Sequence, residues 1–119
     1  MAVYKWQDVE NEPMNPLLNR RVIHGLSMTV AKLTLKKGAV VPRHSHPNEQ
    51  ISMVESGKLL FIMDDGERLV EAGQVIVIPP NQPHRVEAVE DSVATDLFSP
   101  VRADWQNGND AYLRSAGAS

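Results

Sequence analysis

Hydrophobic residues occur in short runs along this chain, and within a run they alternate with polar residues. Between Met28 and Leu35, the side chains of Thr29, Ala31, Leu33 and Leu35 share one parity. Residues of one parity lie on the same face of a strand, so this run predicts a strand with one buried face. Four similar runs follow, at residues 51–54, 59–63, 75–78 and 93–98. We predict a short strand for each of them.

The gaps between these runs contain glycine, aspartate or proline, which favour tight turns. The gaps are 37–38, 56–57, 64–67, 72–73 and 79–83. Asp65-Gly66 is the strongest hairpin signal among them. Turns that recur every 8 to 15 residues, eight prolines and no helical period before residue 100 predict an all-β sandwich or barrel. Only the segment from Ala103 onward is expected to be helical.

Composition narrows the possible functions. The 119 residues predict a single domain, 1–119, with room for one buried site. With 12 Lys+Arg against 15 Asp+Glu and no basic cluster, we expect no nucleic-acid partner and favour a small-molecule ligand. No signal-peptide pattern and no long apolar run is present, so we expect a cytoplasmic protein without membrane contact. The absence of cysteine excludes disulfides and thiolate ligands, leaving nitrogen and oxygen donors for any metal.

Three of the four histidines form a pattern typical of metal sites. His44 and His46 are two residues apart, so in an extended segment their imidazoles point to the same side. His84, from another predicted strand, can complete the set. For the fourth ligand, Gln50 shares the parity of the two histidines along a continuous strand, whereas Glu49 faces away. Pro47 can reset that phase, and Glu49 therefore stays open as an alternative to Gln50.

The spacing around the first two histidines is specific. Five residues separate Gly38 from His44, one separates His44 from His46, three separate His46 from Gln50, and six separate Gln50 from Gly57. This spacing resembles the first motif of the cupin superfamily, with glutamine in place of the usual glutamate.

A second segment resembles the second cupin motif. Gly73, Pro79, Asn81 and His84 follow its spacing, and 15 residues separate the two motifs. Asn81 stands where the motif has glycine, which asparagine can replace because it tolerates left-handed backbone. Ala88 stands where the motif ends in asparagine. Two motifs in order are much more specific than either motif alone.

The resemblance implies a cupin double-stranded β-helix, that is, a jelly-roll barrel with a short C-terminal extension. The barrel core is expected at about residues 28–100. A divalent metal ion (Ni, Zn, Mn, Fe or Co) is implied inside one mouth of the barrel. The implied ligands are His44, His46, Gln50 and His84.

A third segment, 94–105, indicates which cupins to compare. Asp96, Phe98 and Arg102 share parity, and with the two motifs they resemble the KdgF-type small cupins of pectin and alginate breakdown. Those proteins open the ring of 4,5-unsaturated uronate monosaccharides. The resemblance implies that Asp96 is a catalytic acid/base, that Arg102 contributes to catalysis by binding the substrate carboxylate, and that Phe98 is a substrate-binding pocket wall. From the residues alone, an exposed carboxylate, a surface ion pair of Arg102 with Asp104 and a core phenylalanine are equally open.

Other functions also fit a small cupin. They include a polyketide cyclase-like enzyme, a dioxygenase, a dimethylsulfoniopropionate lyase and a non-enzymatic metabolite-binding protein. Gln50 argues against dioxygen chemistry, which usually uses three histidines and a carboxylate. By analogy with small cupins we also expect a homodimer, with Tyr4, Trp6, Trp105 and Tyr112 packing across a neighbouring subunit.

Overall fold

The computed structural model describes residues 1–115 and contains two antiparallel β-sheets. Six strands form the first sheet in the order β1-β2-β3-β10-β5-β8, and four form the second in the order β4-β9-β6-β7. The first five strands are β1 (Glu12–Asn15), β2 (Leu18–His24), β3 (Thr29–Leu35), β4 (Val40–His44) and β5 (Glu49–Ser56). The others are β6 (Lys58–Met63), β7 (Gly66–Glu71), β8 (Val75–Ile78), β9 (His84–Ala88) and β10 (Ser92–Ser99). The all-β jelly-roll prediction is confirmed.

The core lies between the two sheets because most strands bury every second side chain. Strand β10 alternates regularly between buried and half-buried positions, and β5 does the same from Gln50 to Val54. Most inward-facing residues are apolar, and Ala31, Phe61 and Phe98 are among the most deeply buried. Toward one end of the barrel the inward positions become polar, and the candidate site lies there.

Two parts of the strand prediction were incomplete or wrong. The sheet begins well before Met28, because β1 and β2 pair as a hairpin and β2 pairs with β3. The predicted continuous strand through both histidines and Gln50 is wrong, since β4 ends at His44 and β5 begins at Glu49. The intervening residues 45–48 form a loop that reaches from one sheet to the other.

The predicted tight turns depend on unusual backbone angles at two motif positions. Asn81 has a φ of 64°, so asparagine does adopt the left-handed conformation expected where the cupin motif has glycine. Gly57 has a φ of 84°, and a Cβ placed there would collide with the Ser92 side chain and the Asp91 carbonyl. Position 57 therefore requires glycine, both because its φ is positive and because a Cβ would collide with its neighbours.

The C-terminal segment is helical, as expected from Ala103 onward. Helix α1 covers Ala103–Gln106 and α2 covers Ala111–Ser115; residues 116–119 lie outside the described part of the chain. Helix α2 packs against β1 and β4. Within residues 1–115, no helix has the length and apolar composition needed to cross a membrane.

Candidate active site

The three motif histidines converge inside one end of the barrel. His44 ends β4 and His84 begins β9, and the two are cross-strand partners with ring centroids 4.3 Å apart. His46, in the loop after β4, places its ring 5.6 Å from that of His44 and 5.3 Å from that of His84. One ring nitrogen from each histidine lies within 4.8 Å of the other two, a spacing at which three histidines can hold one metal ion.

Each of these histidines is oriented by a backbone carbonyl two residues away. The carbonyls of Pro42, Asn48 and Gln82 lie 2.8, 3.0 and 2.8 Å from the Nδ1 atoms of His44, His46 and His84, respectively. Because a carbonyl can only accept, Nδ1 carries the proton and the lone pair of the neutral ring is on Nε2. A backbone carbonyl that accepts from Nδ1 in this way is common for histidines that bind metals through Nε2.

The surroundings keep the three rings neutral and therefore able to act as ligands. Burial, reinforced by the neighbouring His84, lowers the pKa of His44 to about 4. Burial and then the positive charge of Arg102 lower the pKa of His46 to about 4. The pKa of His84 is also lowered, mainly by burial. Neutral imidazole is the form that coordinates a cation.

Gln50 lies beside His46, and their contact indicates a cation. Its Oε1 is 3.0 Å from His46 Nε2, while its Nε2 donates to Ser52 Oγ at 2.9 Å and to Asp96 Oδ2 at 3.4 Å. Since the Nδ1 proton of His46 is already donated, Oε1 and Nε2 face each other as two acceptors. A shared divalent cation satisfies both lone pairs, so the donor set fits a metal ion. Glu49, the alternative ligand, is exposed.

Asp96 is a buried carboxylate next to this donor set. It lies on β10 and is 7% exposed. Burial raises its pKa to about 6, although a hydrogen bond from Ser52 and the charge of Arg102 act in the opposite direction. A carboxyl group with this pKa can both accept and release a proton near neutral pH.

Arg102 forms the ion pair with Asp104 that the sequence left open, but the arginine is buried rather than on the surface. Its side chain is 1% exposed, and its Nε and NH2 groups donate to Asp104 at 3.0 and 2.8 Å. The guanidinium also lies over the rings of Phe98 and Trp105, 4.7 and 4.1 Å from their centroids. In this structure the positive charge at the site is therefore already paired.

Phe98 forms one wall of the cavity at the centre of the barrel. Its ring meets that of His46 edge-on at 5.6 Å and that of Trp105 at 5.1 Å. The same cavity is lined by His44, Gln50, His84, Asp96 and Arg102. The structure thus brings together all the side chains that the sequence suggested; His46 does not line the cavity itself but contacts Phe98 and lies with the other two histidines.

Two further residues, Tyr112 and Asn48, belong to this site; the sequence suggested only a subunit contact for the first and no role for the second. Tyr112 stacks on His44 with ring centroids 4.8 Å apart, and its hydroxyl accepts from Arg102 NH2 at 3.0 Å. Tyr112 makes these contacts within its own chain, and the expectation that it packs across a neighbouring subunit stays a prediction. Asn48 accepts from His46 and donates to the Pro100 carbonyl at 2.5 Å, which links the histidine loop to the turn before Arg102. Its position inside the histidine motif was the available signal.

Comparison with known proteins agrees with this geometry. Residues 31–99 match the family model described as Cupin domain. Over 71 residues the chain is 34% identical to the pectin degradation protein KdgF of Dickeya dadantii (strain 3937), covering 58% of this chain and 64% of that protein. The chain thus spans a little under two thirds of that relative.

Solved structures extend the similarity to most of the described fold. KdgF from Halomonas sp. superposes with a TM-score of 0.81 at 26% identity, covering 88% of this chain and 98% of that one. An RmlC-like cupin from Shewanella frigidimarina NCIMB 400 superposes with a TM-score of 0.82 at 24% identity, covering 88% and 96%. With the family match over more than half of the chain, these results show that the protein is a small cupin and belongs to the Cupin domain family.

Proposed function

We propose that this protein opens the ring of 4,5-unsaturated uronate monosaccharides released during the breakdown of acidic polysaccharides. The observation that carries the proposal is the buried carboxylate of Asp96, with a pKa of about 6, beside a cluster of three neutral histidines. The similarity to proteins named KdgF, one of them a pectin degradation protein, supports the choice of substrate.

The proposed reaction breaks the C1–O5 bond of the cyclic hemiacetal. The C1 hydroxyl loses its proton and becomes an aldehyde, while O5 leaves with the bonding electrons and becomes part of an enol. Protonation at C4 then converts the enol into a ketone at C5, so no oxidant or reductant is needed. A divalent metal held by His44, His46, His84 and Gln50 would supply positive charge that favours the developing negative oxygen.

Asp96 is proposed to move the protons in this reaction. As a carboxylate it accepts the C1 hydroxyl proton, and as an acid it donates a proton to C4. A pKa of about 6 suits both steps near neutral pH, because neither form is strongly disfavoured. Ser52 and Gln50, which contact this carboxylate, hold its oxygens in a fixed direction.

Arg102 is proposed to bind the substrate carboxylate through its planar guanidinium. It is the cationic side chain among the cavity-lining residues, and its positive charge contributes to the low pKa of His46. Phe98, under the same guanidinium, is proposed to form the apolar wall against which the sugar ring lies.

We further propose that the protein acts as a homodimer. Five apolar residues form one cross-strand row on the outer face of the six-stranded sheet. None of the five is fully buried. They are Ile23, Val30, Leu97, Ile51 and Val77. A continuous apolar row on the outside of a sheet is typical of a subunit interface. Sedimentation equilibrium tests this, since Leu97→Asp should convert a dimer to a monomer.

The ring-opening proposal is tested by following the ultraviolet absorbance of the C4=C5 bond. Protein reconstituted with Ni, Zn or Mn should speed its loss for unsaturated galacturonate or mannuronate above the spontaneous rate. Asp96→Asn should reduce that acceleration about 100-fold or more while metal binding remains. Asp64→Asn, at an exposed carboxylate, is the matched control and should keep full activity. If the wild-type protein does not accelerate the reaction with any of these metals, the proposal is wrong.

A further inference from the structure

The space inside the barrel is too small for a sugar in this structure. The cavity between the sheets measures about 40 Å³, whereas pockets that bind small organic molecules usually measure about 300–1,000 Å³. A single water molecule needs about 10–15 Å³ of such space, so the cavity has room for a few water molecules or an ion but not for a uronate. A ligand of that size must displace part of the cavity wall.

The movable part of that wall is the C-terminal cap, which we define as residues 103–115. Three of its side chains, Trp105, Tyr112 and Leu113, line the cavity. The two helices of the cap have four and five residues, lengths at which a helix is not stable on its own. The cap is therefore held closed by its contacts with the barrel.

Trp105 and Leu113 of the cap pack in the hydrophobic core, and its polar contacts meet at two buried arginines, Arg102 and Arg20. Inside, Arg102 donates to Asp104 and to the Tyr112 hydroxyl, which also accepts from Trp105 Nε1 at 3.2 Å. Arg20, which faces inward from β2, donates to Asp110 at 2.8 Å, and this pair is also buried. The contact of Arg102 with the partly exposed Asp104 can exchange at modest net cost, provided that a ligand carboxylate takes the place of Asp104.

We infer that the C-terminal cap is a gate over the active site and that Tyr112 is a positioning residue of this gate. In the closed form, Tyr112 and Asp104 hold the Arg102 guanidinium and Tyr112 covers His44. A ligand carboxylate opens the gate because it replaces Asp104 on Arg102, and Asp104, which is 36% exposed, returns to water. The choice of a uronate as that ligand rests on the proposed function.

The first test measures opening without any ligand. Several cap amides are hydrogen-bonded in the closed form, and their exchange with deuterium reports opening. They are the amides of Trp105, Gln106, Asn107, Gly108, Asn109 and Leu113.

In the wild type these amides should exchange at least 10-fold faster than those of β5 and β10. Tyr112→Phe and Asp104→Asn should each speed the exchange of the cap amides further, while exchange in the two strands stays unchanged. Tyr4→Phe and Asp64→Asn remove the same groups from exposed positions and should change nothing. Cap amides that exchange as slowly as β5 and β10 would show that the segment opens only on global unfolding, and the inference would be wrong.

The second test uses a saturated uronate, galacturonate, which can bind but cannot undergo the ring-opening reaction at C4=C5. The chain has two tryptophans, so Trp6→Phe leaves Trp105 in the cap as the single emitter. Galacturonate should shift its emission to longer wavelength in a saturable way, because the indole becomes more exposed, and neutral galactose should not. Asp104→Asn should lower the half-saturating concentration several-fold, since the competing carboxylate is lost.

The two outcomes separate this inference from the proposed function. If galacturonate leaves the emission of Trp105 unchanged, opening by a carboxylate is refuted, even where turnover of an unsaturated uronate is observed. If both tests succeed and no turnover is found with any metal, the gate remains and the ring-opening proposal fails.

Discussion

Asp96 illustrates, at the scale of one residue, how a group proposed to act in catalysis can oppose stability. Its carboxyl has a pKa of about 6 when folded, against an ordinary value of 3.8. The unfolded chain therefore loses this proton at lower pH than the folded chain does. The folded state loses stability as the pH rises from about 4 to about 6 and does not regain this contribution above that range.

This relation predicts that Asp96→Asn stabilises the metal-free protein at neutral pH. Asparagine is uncharged and nearly the same size, so the substitution removes the penalty, about 3 kcal/mol for a pKa difference of this size. Urea unfolding with a chelator at pH 7.5 should show the gain, and at pH 3.5 it should largely disappear because the carboxyl is mostly protonated in both states. Asp64→Asn, on the surface, should show neither effect. A variant that is less stable than the wild type at pH 7.5 would contradict the prediction.

The side chain of Gln50 faces the histidines, as predicted, although the continuous strand assumed in that prediction does not exist. Parity along one continuous strand predicted that Gln50 faces the histidines and Glu49 faces away. The strand is interrupted at residues 45–48, yet Gln50 is 5% exposed and Glu49 is exposed. The interruption has an even number of residues, so the parity happened to be preserved. Sequence alone could not show this, because the path of a loop depends on both sheets that it joins.

The choice between Gln50 and Glu49 as the fourth ligand leads to a direct prediction. Gln50→Leu keeps the buried volume but removes the oxygen beside His46, so the affinity for Zn²⁺ should fall about 10-fold or more. Glu49→Ala should bind Zn²⁺ like the wild type, because that side chain is exposed. Calorimetric titration of both variants measures the difference. The reverse order of affinities would identify Glu49 as the ligand.

At the scale of elements, the missed strands are those whose sequences lack a clear alternation of apolar and polar residues. Strand β2 faces Arg20 inward, which no hydrophobic pattern predicts, and that charge is paired with Asp110 near the other end of the chain. Strand β7 is an edge strand with one buried residue, Val70, so it lacks a clear alternation. The strands that were predicted, such as β5 and β10, are central and bury one whole face.

The turn between β5 and β6 gives a prediction at the same scale. Gly57→Ala places a Cβ in conflict with Ser92, which is buried and hydrogen-bonded to Lys58 and therefore cannot move aside. Gly38→Ala also requires a positive φ, but nothing lies near its Cβ. Left-handed backbone alone costs about 1–2 kcal/mol, and this is the loss expected at Gly38.

At Gly57 the free energy of unfolding should fall by about 2 kcal/mol more than at Gly38, since the collision adds to the backbone strain. Urea unfolding of the two single variants measures both losses. Equal losses would show that the loop at Ser92 can move.

For the molecule as a whole, the candidate ligands come from both sheets. His44 and His84 lie on adjacent strands of the four-stranded sheet, whereas Gln50 lies on β5 of the six-stranded sheet. His46 lies in the loop that joins them. A metal ion bound by this set would connect the two layers of the jelly roll at the end where the core is polar.

Metal binding should therefore stabilise the whole fold. Because the donor set exists only in the folded chain, a metal at 100 times its dissociation constant adds about 2.7 kcal/mol to the free energy of unfolding. For a domain of this length that corresponds to a rise of about 10 °C in Tm, measurable by scanning calorimetry with and without Zn²⁺. His46→Ala should lose most of this rise. His24→Ala, at the exposed histidine outside the cluster, should keep it. An equal rise in both variants would mean that Zn²⁺ binds elsewhere and that the three motif histidines are not its ligands.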